Sequence, residues 1–181
     1  MSWQPPNPNF QRLLNSIRGG NPGGAGNEYR VLNMPRVSLG RVTAISPGAG
    51  PTFPTWDQLE YDTDSMANGS AGVYNNIKAN TPGIYLFTTW WTWNFAAAGY
   101  RQLYFAKGNG AIYGSSVVQP FNGGVTTHGS AAYIPMNKGE VCSVALLQAS
   151  GGVLASTMNT NPIVTNGLTW NAFQAVLAST L

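Results

Sequence analysis

From about Tyr29 onward, apolar and polar residues alternate in short runs separated by Gly, Pro and Asn turns, and no run of ten residues keeps a helical period. The longest run, TPGIYLFTTWWTWNFAAAGYR (81–101), starts at a Pro-Gly turn and is dominated by β-branched and aromatic residues. Its two alternating sets are Tyr85, Phe87, Thr89, Trp91, Trp93, Phe95 and Ile84, Leu86, Thr88, Trp90, Thr92, Asn94. Alternate residues of a strand point to opposite faces, so this strand is expected to be largely apolar on both. A sandwich needs one apolar face per sheet, and the second face asks for another partner, most simply a second copy of the chain. Tyr85, Phe87, Trp90, Trp91, Trp93 and Phe95 are therefore expected in the core or at a subunit interface.

Strands are expected near 36–45, 55–61, 72–78, 83–95, 100–106, 111–118, 125–134, 140–148, 152–157 and 168–178. That series spells an all-β fold, a two-sheet antiparallel sandwich or jelly roll, and not a βαβ sheet. The front of the chain differs. Residues 1–9 are rich in Pro and Asn and should be extended. Asn9 can cap a short helix over 10–18, in which Phe10, Leu13, Leu14 and Ile17 recur at i, i+3, i+4 and i+7. The tract GGNPGGAG (19–26) reads as a flexible linker. Residues 1–30 are thus expected to form an arm and 31–181 a domain. So short a helix is not stable alone in water and must dock. Its apolar side, with Trp3, is the expected anchor, packed on its own domain or in a groove of a neighbouring subunit.

Composition sharpens this. Only 8% of the 181 residues are charged while 43% are hydrophobic and 12% aromatic. That is not a disordered composition, and a surface so poor in charge is expected to be covered in an assembly. Residues 1–41 carry Arg12, Arg18, Arg30, Arg36 and Arg41 against Glu28. The remainder carries Lys78, Arg101, Lys107 and Lys138 against Asp57, Glu60, Asp62, Asp64 and Glu140. The basic front could meet an acidic surface, but no Lys/Arg cluster has the density of a nucleic-acid stripe. Cys142 is alone, which excludes an intrachain disulfide, and in EVCSVALLQ it reads as a small buried hydrophobe. The start, MSWQPPNPNF, lacks the basic and apolar regions of a signal peptide, and no segment reaches the roughly 20 apolar residues of a membrane span.

Several pieces, in order, are similar to the C1q/TNF-like domain. They are TFPTW (52–56) leading to Leu59 and YDTD (61–64), TPGIYLF (81–87), GYR (99–101), KGEV (138–141), QASGG (148–152) and LTWNAF (168–173). The set spans residues 37–181, and the variant with YDTD and QASGG resembles C1q-like modules found in tailed-bacteriophage virion proteins. The resemblance implies a two-sheet jelly roll that assembles as a homotrimer. It implies a structural role in a phage particle made in the host cytoplasm, as a minor tail protein or as a capsid decoration protein or head fibre. The first residues hold no Gly-X-Y repeat, so anchoring would fall to the arm.

Candidate chemistry is sparse. His128 is the only histidine, so no histidine pair can hold a metal or relay a proton, and no nucleophile elbow, HExxH or Walker loop occurs. No enzyme activity and no cofactor are expected. Asp57, Glu60, Asp62 and Asp64 fall within eight residues. On a strand, Asp62 and Asp64 would share a face about 7 Å apart, which suits solvated or turn-forming carboxylates, a weak calcium site, or a glycosidase pair. The tryptophans raise a carbohydrate-binding alternative directed at bacterial envelope glycans. The loops near 96–99, 119–124 and 159–167, with Tyr113 and Phe121, are the expected places for a receptor contact.

Overall fold

The computed structural model describes residues 34–70, 72–93, 98–120, 126–150 and 171–180. The chain divides into two units, Met1–Met34 and Pro35–Leu181, and all that follows concerns the second. Ten strands run in order: β1 (Arg36–Arg41), β2 (Gln58–Asp62), β3 (Ala67–Ser70), β4 (Val73–Lys78), β5 (Gly83–Trp93), β6 (Arg101–Lys107), β7 (Ile112–Val118), β8 (Thr126–Met136), β9 (Val141–Gln148) and β10 (Asn171–Thr180). The expected helix over 10–18 and the strand over 152–157 lie outside the described residues.

Two corrections have local causes. The first strand ends at Arg41, not at 45, because the Asp57 carboxylate accepts the backbone N–H groups of Val42 and Thr43 at 2.8 and 2.9 Å and takes them out of the ladder. Strand β3 is missing from the sequence reading because Ala-Asn-Gly-Ser has no β-branched or aromatic residue. Pairing with β4 makes it a strand, helped by the Asn68 amide donating to Asn76 Oδ1 at 2.7 Å.

The sheets have the orders β2-β1-β10-β5-β8 and β3-β4-β9-β6-β7, and every ladder is antiparallel. The chain crosses between sheets after β2, β4, β5, β7, β8 and β9, so that first and last strands pair at the centre of one sheet. This is a jelly roll.

The core lies between the sheets. From β5 it takes Tyr85, Phe87, Trp91 and Trp93, all fully buried. Leu103 and Phe105 come from β6, Val144 and Leu146 from β9, and Phe173 and Ala175 from β10. Phe173 is the hub: its ring lies 5.6 Å from Trp56, 5.8 Å from Phe87 and 6.1 Å from Phe105. Trp56, pinned by a two-way bridge to Tyr74, meets Trp91 edge-on at 6.0 Å. Each such side chain gains roughly 2–3 kcal/mol on leaving water.

The expectation for β5 is thereby split. Tyr85, Phe87, Trp91 and Trp93 are core residues, not interface residues; of the tryptophans in this strand only Trp90 turns outward, half-buried beside Ile84, Leu86 and Thr88. Phe95 lies outside the described residues. Cys142 is buried in β9 as expected, where burial pushes its thiol pKa up.

His128 sits in β8 with its ring parallel to Trp93 at 6.5 Å. Burial lowers its pKa from the usual 6.5, and the Ser116 backbone offsets only part of this. As pH falls through 6.5 the unfolded chain therefore gains its proton first, so stability drops until the folded state protonates as well. Denaturant melts should show stability falling between pH 7 and 5, and His128→Phe should flatten that part of the profile. The further loss in stronger acid should remain, since Asp57 and Glu140, both with lowered pKa values, still titrate there.

Candidate functional site

Three transverse rows fixed by register cross the middle of the outward face of the β2-β1-β10-β5-β8 sheet. The first is Arg36, Val176, Leu86 and Tyr133, taken in turn from β1, β10, β5 and β8. It is apolar through its centre, and Tyr133 is 65% exposed. At its other end the Arg36 guanidinium stands 5.4 Å over the Tyr61 ring of β2.

The second row is polar. Ser38, Gln174, Thr88 and Ala131 are aligned across four strands. Ser38 Oγ donates to Glu60 Oε2 at 2.6 Å, Gln174 Nε2 donates to Ser38 Oγ at 3.0 Å, and Thr88 Oγ1 donates to Gln174 Oε1 at 3.4 Å. These groups satisfy one another within the face. The third row, Gly40, Ala172, Trp90 and Gly129, surrounds one indole with small residues. A Cβ at Gly129 would stand 2.6 Å from the Thr89 carbonyl oxygen and 3.4 Å from Trp90 Cβ, so only glycine lets β8 run this close to Trp90.

The outward face of the other sheet carries an open groove of about 430 Å³. Its floor is Ala106 and Ser143; Phe53 and Tyr104 flank it on one side, Ile112 and the Gly108–Gly110 turn on the other. Phe53 is exposed on a firm base, because its neighbour Thr52 exchanges two backbone hydrogen bonds with Leu146 at 2.9 Å. Lys107 borders the groove without bringing free charge: its ammonium pairs with Glu140 Oε2 at 2.8 Å and donates to the Pro135 carbonyl at 2.9 Å.

The acidic stretch departs from expectation. Asp62 and Asp64 do not share a strand face, since β2 ends at Asp62 and Asp64 lies in the turn beyond it. Asp62 accepts the backbone N–H groups of Asp64, Met66 and Ala67 at 3.2, 2.9 and 2.8 Å. Asp64 accepts the Thr81 hydroxyl at 3.0 Å. The carboxylates shape the turn into β3. Among the described residues no group of three or more His, Cys, Asp or Glu is placed to hold a metal ion.

Tyr113 is also relocated. It belongs to β7 and packs, half-buried, against the core, not in a loop. Trp3, Phe10, Leu13, Leu14, Ile17 and Phe121 lie outside the described residues. The sequence reading missed Arg36, Tyr61, Tyr133 and Val176 of the first sheet, and Phe53, Tyr104 and Ile112 of the groove. For Tyr133 the signal was present, as one aromatic in the alternation of GSAAYIPM.

No family model and no curated protein matches this chain. Solved structures do. The globular domain of zebrafish complement 1qA is similar over 81% of this chain and 99% of its own, at 12% identity and a TM-score of 0.57. Murine APRIL at pH 8.0 is similar over 79% and 98%, at 12% identity and 0.57. Eiger TNF from S. frugiperda is similar over 82% and 95%, at 12% identity and 0.55. The fold is that of the C1q/TNF jelly roll.

Removing the Asp62 carboxylate leaves three backbone donors in the turn to find other acceptors. Asp62→Ala should cost about 1–3 kcal/mol in urea denaturation. The loss should be the same in calcium and in chelator if the carboxylate serves the turn alone.

Proposed function

We propose that this chain is a non-enzymatic structural module that closes into a homotrimer through the outward face of the β2-β1-β10-β5-β8 sheet. The observation that carries this is the first row of that face. Val176, Leu86 and Tyr133, with Ile84 beside them, form an apolar strip across a sheet whose core side is already complete. Extended apolar strips on a chain this poor in charge call for cover. The resemblance to trimeric C1q-like domains and the shared fold support three copies as that cover. In such an assembly the β3-β4-β9-β6-β7 face and the loops point outward, where contacts with other molecules are made.

The finer reading is a virion component, a minor tail or tail-tip protein, anchored through residues 1–30 by Trp3, Phe10, Leu13, Leu14 and Ile17. It rests on the YDTD and QASGG pieces and on the amphipathic spacing of the arm. A capsid decoration protein or head fibre would use the same arm and head. Light scattering on the full chain should report three times the 19.2 kDa chain mass, and Leu86→Glu should give a folded monomer, since its charge falls on the strip and not in the core. A version lacking residues 1–26 should keep the trimer mass but be absent from purified particles. A monomeric parent protein would overturn the proposal.

The groove favours a second reading, carbohydrate binding. A firm exposed Phe53, the Tyr104 ring and a neutral floor with the Ser143 hydroxyl suit the apolar face and hydroxyl rim of a sugar. Glycan-array binding that Phe53→Ala reduces at least tenfold would support it; an array without signal would remove it.

A further inference from the structure

Strands β2 and β8 are the two edges of the sheet whose face forms the proposed trimer contact. Four strand spacings separate them, roughly 20 Å, so side chains at opposite edges cannot meet within one copy. Yet the two edges carry matching chemistry: Arg36 shares the row of Tyr133, and Tyr61, opposite Ser38, stands beside it one row over. At the β8 edge, Tyr133 is the most exposed large apolar side chain among the described residues. At the β1–β2 edge, the Arg36 guanidinium already lies over Tyr61. Among the described residues the sole ion pair is Lys107–Glu140, so no carboxylate holds Arg36. Arg36 is exposed at the start of β1, which leaves room for a second ring beside the guanidinium.

We infer that Tyr133 of one copy stacks on the Arg36–Tyr61 pair of the next copy, which makes the trimer contact head-to-tail around the ring. This rests on the trimer reading and adds its geometry. A closed ring of three cannot use a self-complementary patch; each copy must present one surface and receive on another. The row offers both. Tyr133 is the presented group, and the pair at the opposite edge is the receiver. Guanidinium planes stack on aromatic faces and tolerate loss of water better than an ammonium. A cation between two tyrosines therefore closes the row without a buried carboxylate.

The test uses the full chain, in which the native Cys142 is buried, and a short bis-maleimide crosslinker. Tyr61→Cys/Tyr133→Cys should yield covalent dimers and trimers, and neither single variant should. A dimer from Tyr133→Cys alone would mean that the Tyr133 rings meet one another, and would overturn the inference while leaving the trimer. So would absence of crosslinks in a double variant of trimer mass. A parent protein of monomer mass would overturn the inference together with the reading beneath it. As a second measurement, Arg36→Gln and Tyr133→Ser should each raise the trimer dissociation constant roughly ten- to a hundredfold, three contacts being lost at once. The two together should be little worse than either alone; additive losses would count against contact between them.

Discussion

The constraint on which this molecule depends is that its central strand must serve two faces with one backbone. Strand β5 lies between β10 and β8, and its inward side chains interlock with Phe173, Trp56 and Phe105. That cluster fixes the spacing and twist of the sheets, because aromatic rings packed at interior density leave little room to slide. Once Phe87 and Trp91 point inward, Leu86 and Trp90 must point outward, whatever surface they meet there. The outer strip is therefore not an independent choice; its position follows from the core register.

This explains what was legible in the sequence. The alternation in 83–95 gave the strand, its start and both faces, because period two is a direct consequence of the pleat. It did not say which face is the inner one, since both sets are apolar; that is decided by partners far away, Phe173 and Trp56, whose pairing no local pattern encodes. Asp62 and Asp64 were placed on one face because residues two apart in a strand share one. The chain leaves the strand at Asp62, where that carboxylate gathers three backbone donors and ends the extended geometry. Strand β3 was invisible for the opposite reason: its residues have no preference for a strand, and β4 imposes it. The groove escaped because Phe53, Tyr104 and Ile112 are distant in sequence and become neighbours only through the pairing of β6 with β7 and of Thr52 with Leu146.

The two outward faces differ in a way that suits different partners. The β2-β1-β10-β5-β8 face is crossed by continuous rows, which favours a broad protein surface. The β3-β4-β9-β6-β7 face carries a local hollow with small residues on its floor and rings at its margin, which favours a small or narrow ligand. Buried cations help hold the second sheet. Lys107 is tied to Glu140 and Pro135, while the Arg101 guanidinium donates to the carbonyls of Ala98 and Tyr100. These charges are spent on structure, leaving the hollow neutral.

The polar row between the apolar strip and Trp90 bears on whether the first face can be covered at all. A polar group loses free energy on burial unless it has a partner, and a sheet face with orphan hydroxyls and amides would resist association. Here Ser38, Gln174 and Thr88 already bond to one another across three strands, and Ser38 passes the chain of bonds to the Glu60 carboxylate on the edge strand. The row can therefore be buried through its middle without stranding its donors, while the one charged group lies on the exposed edge strand. An apolar strip beside a self-satisfied polar row is a surface whose burial costs little and is directional, because sliding a partner by one row would set apolar groups against the polar line.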